Sequence, residues 1–122
     1  MIQLFLLVGA GGMIGACARF GLGGWINRSF PQASPFPIGT FIINAAGSFL
    51  LGLLANLHIH ATIGTGLWLF LGVGFCGAFT TFSTFGTEAM VLLETKRLNL
   101  AVLYVIASVI VGICFAAIGF LI

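Results

Sequence analysis

The chain has 122 residues, of which 61% are hydrophobic and 5% charged, with four basic and two acidic side chains and a formal net charge of +2. A soluble domain carries roughly 25% charged residues, so a mean hydropathy of +1.27 predicts an integral membrane protein. So little charge excludes a nucleic-acid-binding surface and a soluble acid–base enzyme.

One membrane domain over residues 1–122 with four spans is expected, because crossing the hydrocarbon takes roughly 20 apolar residues per helix. The spans read as about 2–25, 38–57, 65–93 and 98–122. The first could be mistaken for a targeting signal, since Ile14-Gly15-Ala16-Cys17 resembles a lipoprotein processing box. No Lys or Arg precedes the apolar run, however, and a signal peptide needs a basic leading region. A retained helix is the reading. Within it, Gly11 and Gly15 have the spacing that lets helix backbones approach closely, for which tight packing inside one subunit is sufficient. Arg19 near its far end either snorkels toward headgroups or supplies a fixed positive charge that favours an anion. The polar, proline-rich stretch 27–37 ends this span.

The second span carries Thr40, Asn44, Ser48, Gly52 and Asn56 in steps of four, which keeps them on one slowly drifting face. Asn44 could glue two helices together or line a pathway with the rest of this stripe. His58 and His60, two apart and without further ligands, make an interfacial pair rather than a metal site.

The third span departs from a plain membrane helix. Residues 74–85 read Gly-Phe-Cys-Gly-Ala-Phe-Thr-Thr-Phe-Ser-Thr-Phe. Non-helical backbone at membrane depth is tolerated where it is buried in protein or lines a wet cavity, and a broken span is the best sequence pointer to an ion site. Two half-helices meeting near 77–80 are expected, with free carbonyls closing the first and free N–H groups opening the second. Phe82 and Phe85, three apart, share a face after the break. Their rings either face lipid or present partially positive edges to an anion. Glu88 is the one acid inside a span, and is either a proton carrier or a group touching water near the membrane boundary.

The fourth span repeats a sparser polar ladder, Tyr104, Ser108 and Gly112. Cys17, Cys76 and Cys114 lie in apolar stretches without metal-type spacing and read as small hydrophobes. An even number of spans puts both termini on one side and Arg28, Lys96 and Arg97 on the other. Three charges make a weak orientation signal, so insertion in both senses is plausible. So small a bundle can hardly enclose a hydrated pathway alone, which predicts an oligomer.

Together these segments resemble the small bacterial fluoride channels, the Fluc or CrcB family, over nearly the whole chain. The resemblance is carried by Gly15 to Phe20, by Gly39-Thr40 with Asn44, Gly47, Ser48, Phe49 and Gly52, and by Gly74 to Gly77 running into Thr80 to Phe85. It implies an all-α fold of four transmembrane helices, the third broken near its centre, in an antiparallel, dual-topology homodimer in the bacterial inner membrane. The implied function is passive, selective export of cytoplasmic fluoride, protecting the cell from its toxicity; it implies neither an enzyme nor a nucleic-acid partner. Phe82 and Phe85 would be the pore phenylalanines and Asn44 an amide donor to fluoride. Thr40, Ser83, Thr84, Tyr104 and Ser108 would belong to a polar track, with Arg19 in an electropositive vestibule. Carbonyls of Gly77 and Thr80 from both subunits would hold a structural sodium ion, which agrees with the physical expectation that half-helix carbonyls at the midplane attract a cation. Some members have Ser where this chain has Gly112, so one hydroxyl of the track is missing here. Two other classes remain open on the residues alone: a proton-coupled dual-topology exporter with Glu88 as carrier, and a purely structural membrane subunit.

Overall fold

A computed structural model describes residues 1–29 and 36–122, so most of the proline-rich connection lies outside the described residues. All regular structure among them is helical. Helix α1 is Ile2–Ser29 and α2 is Ile38–Ile59. The third span divides into α3, residues 65–79, and α4, Phe82–Glu94, before α5, Leu98–Leu121, closes the chain. Four spans, counting 65–94 as one, are long and apolar enough to cross a membrane. Helix α1 runs one turn further than expected, to Ser29, where Arg28 lies favourably against the carbonyl end of the helix dipole.

The third span shows one feature that its sequence did not announce and one that it did. Trp68–Cys76 winds as a π-helix, a wider turn that is rare and concentrates at functional sites. The break itself falls at Thr80 and Thr81, at the far edge of the expected 77–80 window: both are extended, with φ/ψ of −80/156° and −145/123°. Helices α2 and α4 each end in a left-handed residue, Ala61 and Lys96. In both turns the amide of that residue and the one after it reach back to the last helical carbonyls, as with Thr62 N to Leu57 O at 2.8 Å and Arg97 N to Leu92 O at 2.8 Å.

The helices pack in two main seams, α1 on α3 and α2 on α5. Glycine makes both seams. A side chain on Gly11 or Gly15 would collide with the backbone of Phe70 or Phe75, and one on Gly52 or Gly119 with the backbone of Ala116 or Phe49. The Gly11–Gly15 spacing therefore serves packing within the subunit. Gly15→Ala should lower stability by about 1–3 kcal/mol, the usual cost of overpacking. Gly9→Ala, where nothing lies within 4 Å of the added carbon, should be neutral or slightly stabilising. Thermal melts of the detergent-solubilised protein compare the two; equal melts would remove the seam as a determinant.

Two apolar clusters fix the half-helices. Ile26, Ile43 and Phe79 are buried together and tie the end of α3 to α1 and α2. Leu92, Ala101 and Tyr104 are buried together, with Phe36 and Phe85 against them, and tie α4 to α5. The break is thus anchored from both sides.

A clamped helix break between two clefts

The break is held by one side chain. Asn44 Nδ2 donates to the Thr81 carbonyl at 3.1 Å, and the Thr81 N–H donates to Asn44 Oδ1 at 2.9 Å. The amide pairs edge to edge with the backbone of one residue, as a neighbouring strand would. Thr81 also caps α4, its hydroxyl accepting from the Thr84 N–H at 3.1 Å. Thr80 turns its hydroxyl back to the Cys76 carbonyl at 2.8 Å.

These bonds determine which carbonyls are released. In a continuous α-helix the N–H of residue 81 would bond the Gly77 carbonyl, and that of residue 84 the Thr80 carbonyl. Asn44 captures the first donor and the Thr81 hydroxyl the second. With Thr80 and Thr81 extended, the carbonyls of residues 77 to 80 lose the partners a continuous helix would give them, those of Gly77 and Thr80 among them. Gly77 is exposed with nothing within 4 Å beside it.

Two clefts meet at the break. One, of about 320 Å³, is lined by Asn44, Ser48, Thr80, Thr81, Phe82, Phe85, Ser108 and Gly112 among others. The Phe82 and Phe85 rings lie 6.0 Å apart, and Phe85 stands 5.0 Å from Tyr104. Ser108 Oγ is buried and has no hydrogen-bond partner. The second cleft, of about 620 Å³, is lined by Arg19, Arg28, Asn27, Thr40, Thr81 and Thr84 with glycines of α1. Thr81 belongs to both.

The residues singled out from the sequence are thus divided. Asn44, Thr80, Phe82, Phe85 and Ser108 come together in the first cleft, and Arg19, Thr40 and Thr84 in the second. Ser83 is exposed and lines neither. Tyr104 is fully buried; its hydroxyl donates to Glu88 Oε1 at 3.2 Å. Glu88 lines a third cleft, of about 340 Å³, with Asn27, Thr95 and Arg97 at the end of the bundle, which fits a carboxylate touching water near the boundary. The polar stripe of α2 is also split by task. Gly52 packs on α5, and Asn56 donates its amide to the Phe120 carbonyl.

The sequence marked Thr81 as able to satisfy freed backbone groups and Arg28 as an orientation charge, but placed neither in the site. A Thr directly before a helix start is an N-cap signal, so Thr81 was within reach. Arg28 read as a boundary charge, and nothing in its spacing places it beside Arg19.

A helical bundle whose third span breaks into two anchored half-helices, with donor-lined clefts on either side, defines a multi-pass membrane protein built to pass a small solute or ion. The model of the CrcB-like protein family, described as Camphor Resistance (CrcB), matches residues 6–120. The chain belongs to that family. It is 46% identical over 118 residues to the fluoride-specific ion channel FluC 2 of Bacillus subtilis, covering 97% of this chain and 86% of that one. It is 46% identical over 114 residues to the protein of the same name from Bacillus thuringiensis subsp. konkukian, covering 93% and 92%. Against the fluoride-specific ion channel FluC of Thermus thermophilus it is 38% identical over 119 residues, covering 98% and 92%. These relatives are named as channels, not as enzymes.

Proposed function

We propose that this protein is a passive fluoride channel of the bacterial plasma membrane, working as an antiparallel homodimer. The observation that carries the reading is the Asn44-clamped break, where a cleft lined by Arg19 and Arg28 and a cleft lined by Phe82, Phe85 and hydroxyls share one residue, Thr81. Arg19 and Arg28 gather anions at the wide mouth. Beyond Thr81, the edges of Phe82 and Phe85 and the Ser108 hydroxyl offer weak, desolvated donors, and no carboxylate lines that cleft to repel the ion. Donors of this strength let an anion enter and leave.

The dimer reading is supported by what a single chain leaves open. Phe82 is 85% exposed beside the cleft it lines, and Gly77 faces open space. A second copy related by a two-fold axis in the membrane plane would wall the cleft and bring four released carbonyls together. Gly77 and Thr80 of each chain would then hold a sodium ion, which supplies positive charge beside the anion path. Asn44 and Thr81 do the positioning, by keeping the N–H groups away from those carbonyls.

Purified protein in liposomes tests this. Fluoride efflux should be large, driven by voltage alone, and much faster than chloride efflux. Full replacement of sodium by N-methyl-glucamine throughout purification should slow efflux or dissociate the dimer. Efflux that requires an opposing proton gradient would instead make Glu88 the carrier of an exchanger. No efflux of either anion would leave a structural subunit.

A further inference from the structure

We infer that Ser48, from α2, provides the hydroxyl of the fluoride path where the ladder on α5 runs out at Gly112; this rests on the channel reading above. The α5 ladder recurs every four residues, a rise of about 6 Å per step, and its third member has no side chain. A carbon built on Gly112 would lie 3.6 Å from Ser48 Oγ. The Ser48 hydroxyl therefore stands across the α2–α5 seam, next to the place where a side chain of residue 112 would begin. Both residues line the cleft that also holds Asn44, Phe85 and Ser108.

The bland reading of a serine inside a membrane helix is a bond back to its own helix. Two other hydroxyls here do so: Thr80 to the Cys76 carbonyl and Thr95 to the Val91 carbonyl. Among the described residues Ser48 and Ser108 make no such bond, and Ser108 Oγ is buried without any partner. Their donors remain available to an ion in the cleft. The seam holds Ser48 in place, since one turn further on Gly52 lies against the Ala116 backbone. A strongly hydrated anion needs a donor at every step of its path. Ser48 closes the interval that Gly112 leaves.

The test is fluoride efflux from liposomes for the wild type, Ser48→Ala, Ser48→Cys and the double variant Ser48→Ala/Gly112→Ser. Ser48→Ala should slow efflux by about tenfold, with the elution volume and melting temperature of the wild type. Ser48→Cys, which keeps the volume and weakens the donor, should be slowed in the same sense and remains informative if the alanine variant fails to fold. In the double variant the hydroxyl returns from the other helix, into space that the alanine has vacated, and efflux should recover to within about threefold of wild type. Wild-type efflux in both single variants would overturn the inference while leaving the channel reading intact. A slow Ser48→Ala that the second substitution does not rescue would also overturn it, because that pattern belongs to packing. Absence of fluoride efflux in the wild type would remove the channel reading itself.

Discussion

Phe82→Ile should cut fluoride efflux by at least tenfold while leaving the protein folded. The ring is 85% exposed in the single chain, so its loss removes little packing inside the subunit, and surface replacements of this kind usually shift stability by no more than about 0.5 kcal/mol. What isoleucine cannot reproduce is an aromatic ring with a partially positive edge beside the cleft. A loss of about 1.4 kcal/mol at the transition state for passage corresponds to tenfold in rate. Phe85→Ile should slow efflux as severely, but with a measurable stability cost of about 1 kcal/mol or more. Its ring stands 5.0 Å from that of Tyr104 and packs against the buried cluster that ties α4 to α5. Efflux assays paired with thermal melts separate the two effects. Wild-type efflux in both variants would return the rings to lipid-facing filler.

Asn44→Asp should be damaging twice over. The Thr81 N–H keeps an acceptor, but the Thr81 carbonyl at 3.1 Å loses its donor and meets an oxygen instead. Stranding a polar group inside protein costs about 1–3 kcal/mol, and an ionised carboxylate would repel an anion in the adjoining cleft. Efflux should fall by more than tenfold and the melting temperature with it. Asn44→Leu goes further, because it frees the Thr81 N–H to return to the Gly77 carbonyl and mend the helix. The sodium-bridged dimer proposed above should therefore no longer form in this variant. If Asn44→Asp melts and conducts like the wild type, the amide pair is not what holds the break open.

The spans, the broken third helix and the polar stripes were legible because each is a local pattern. Hydropathy over about 20 residues identifies a span regardless of its neighbours. The run from Gly74 to Phe85 announces a break because glycines and hydroxyls weaken a helix wherever it is placed. The glycine seams could be seen as a tendency to close approach, though not which helix approaches.

Asn44, Ser48 and Asn56 share one face and look alike in sequence, yet one clamps a break, one lines a cleft and one reaches the end of α5. Periodicity gives the face; the register of the facing helix gives the partner. The same holds for Glu88, whose bond to Tyr104 spans 16 residues across the α4–α5 turn. The release of the Gly77 carbonyl depended on a side chain 37 residues away from the backbone it captures. Such long-range pairings exist once the seams set the helices' relative heights, and no local pattern encodes that height.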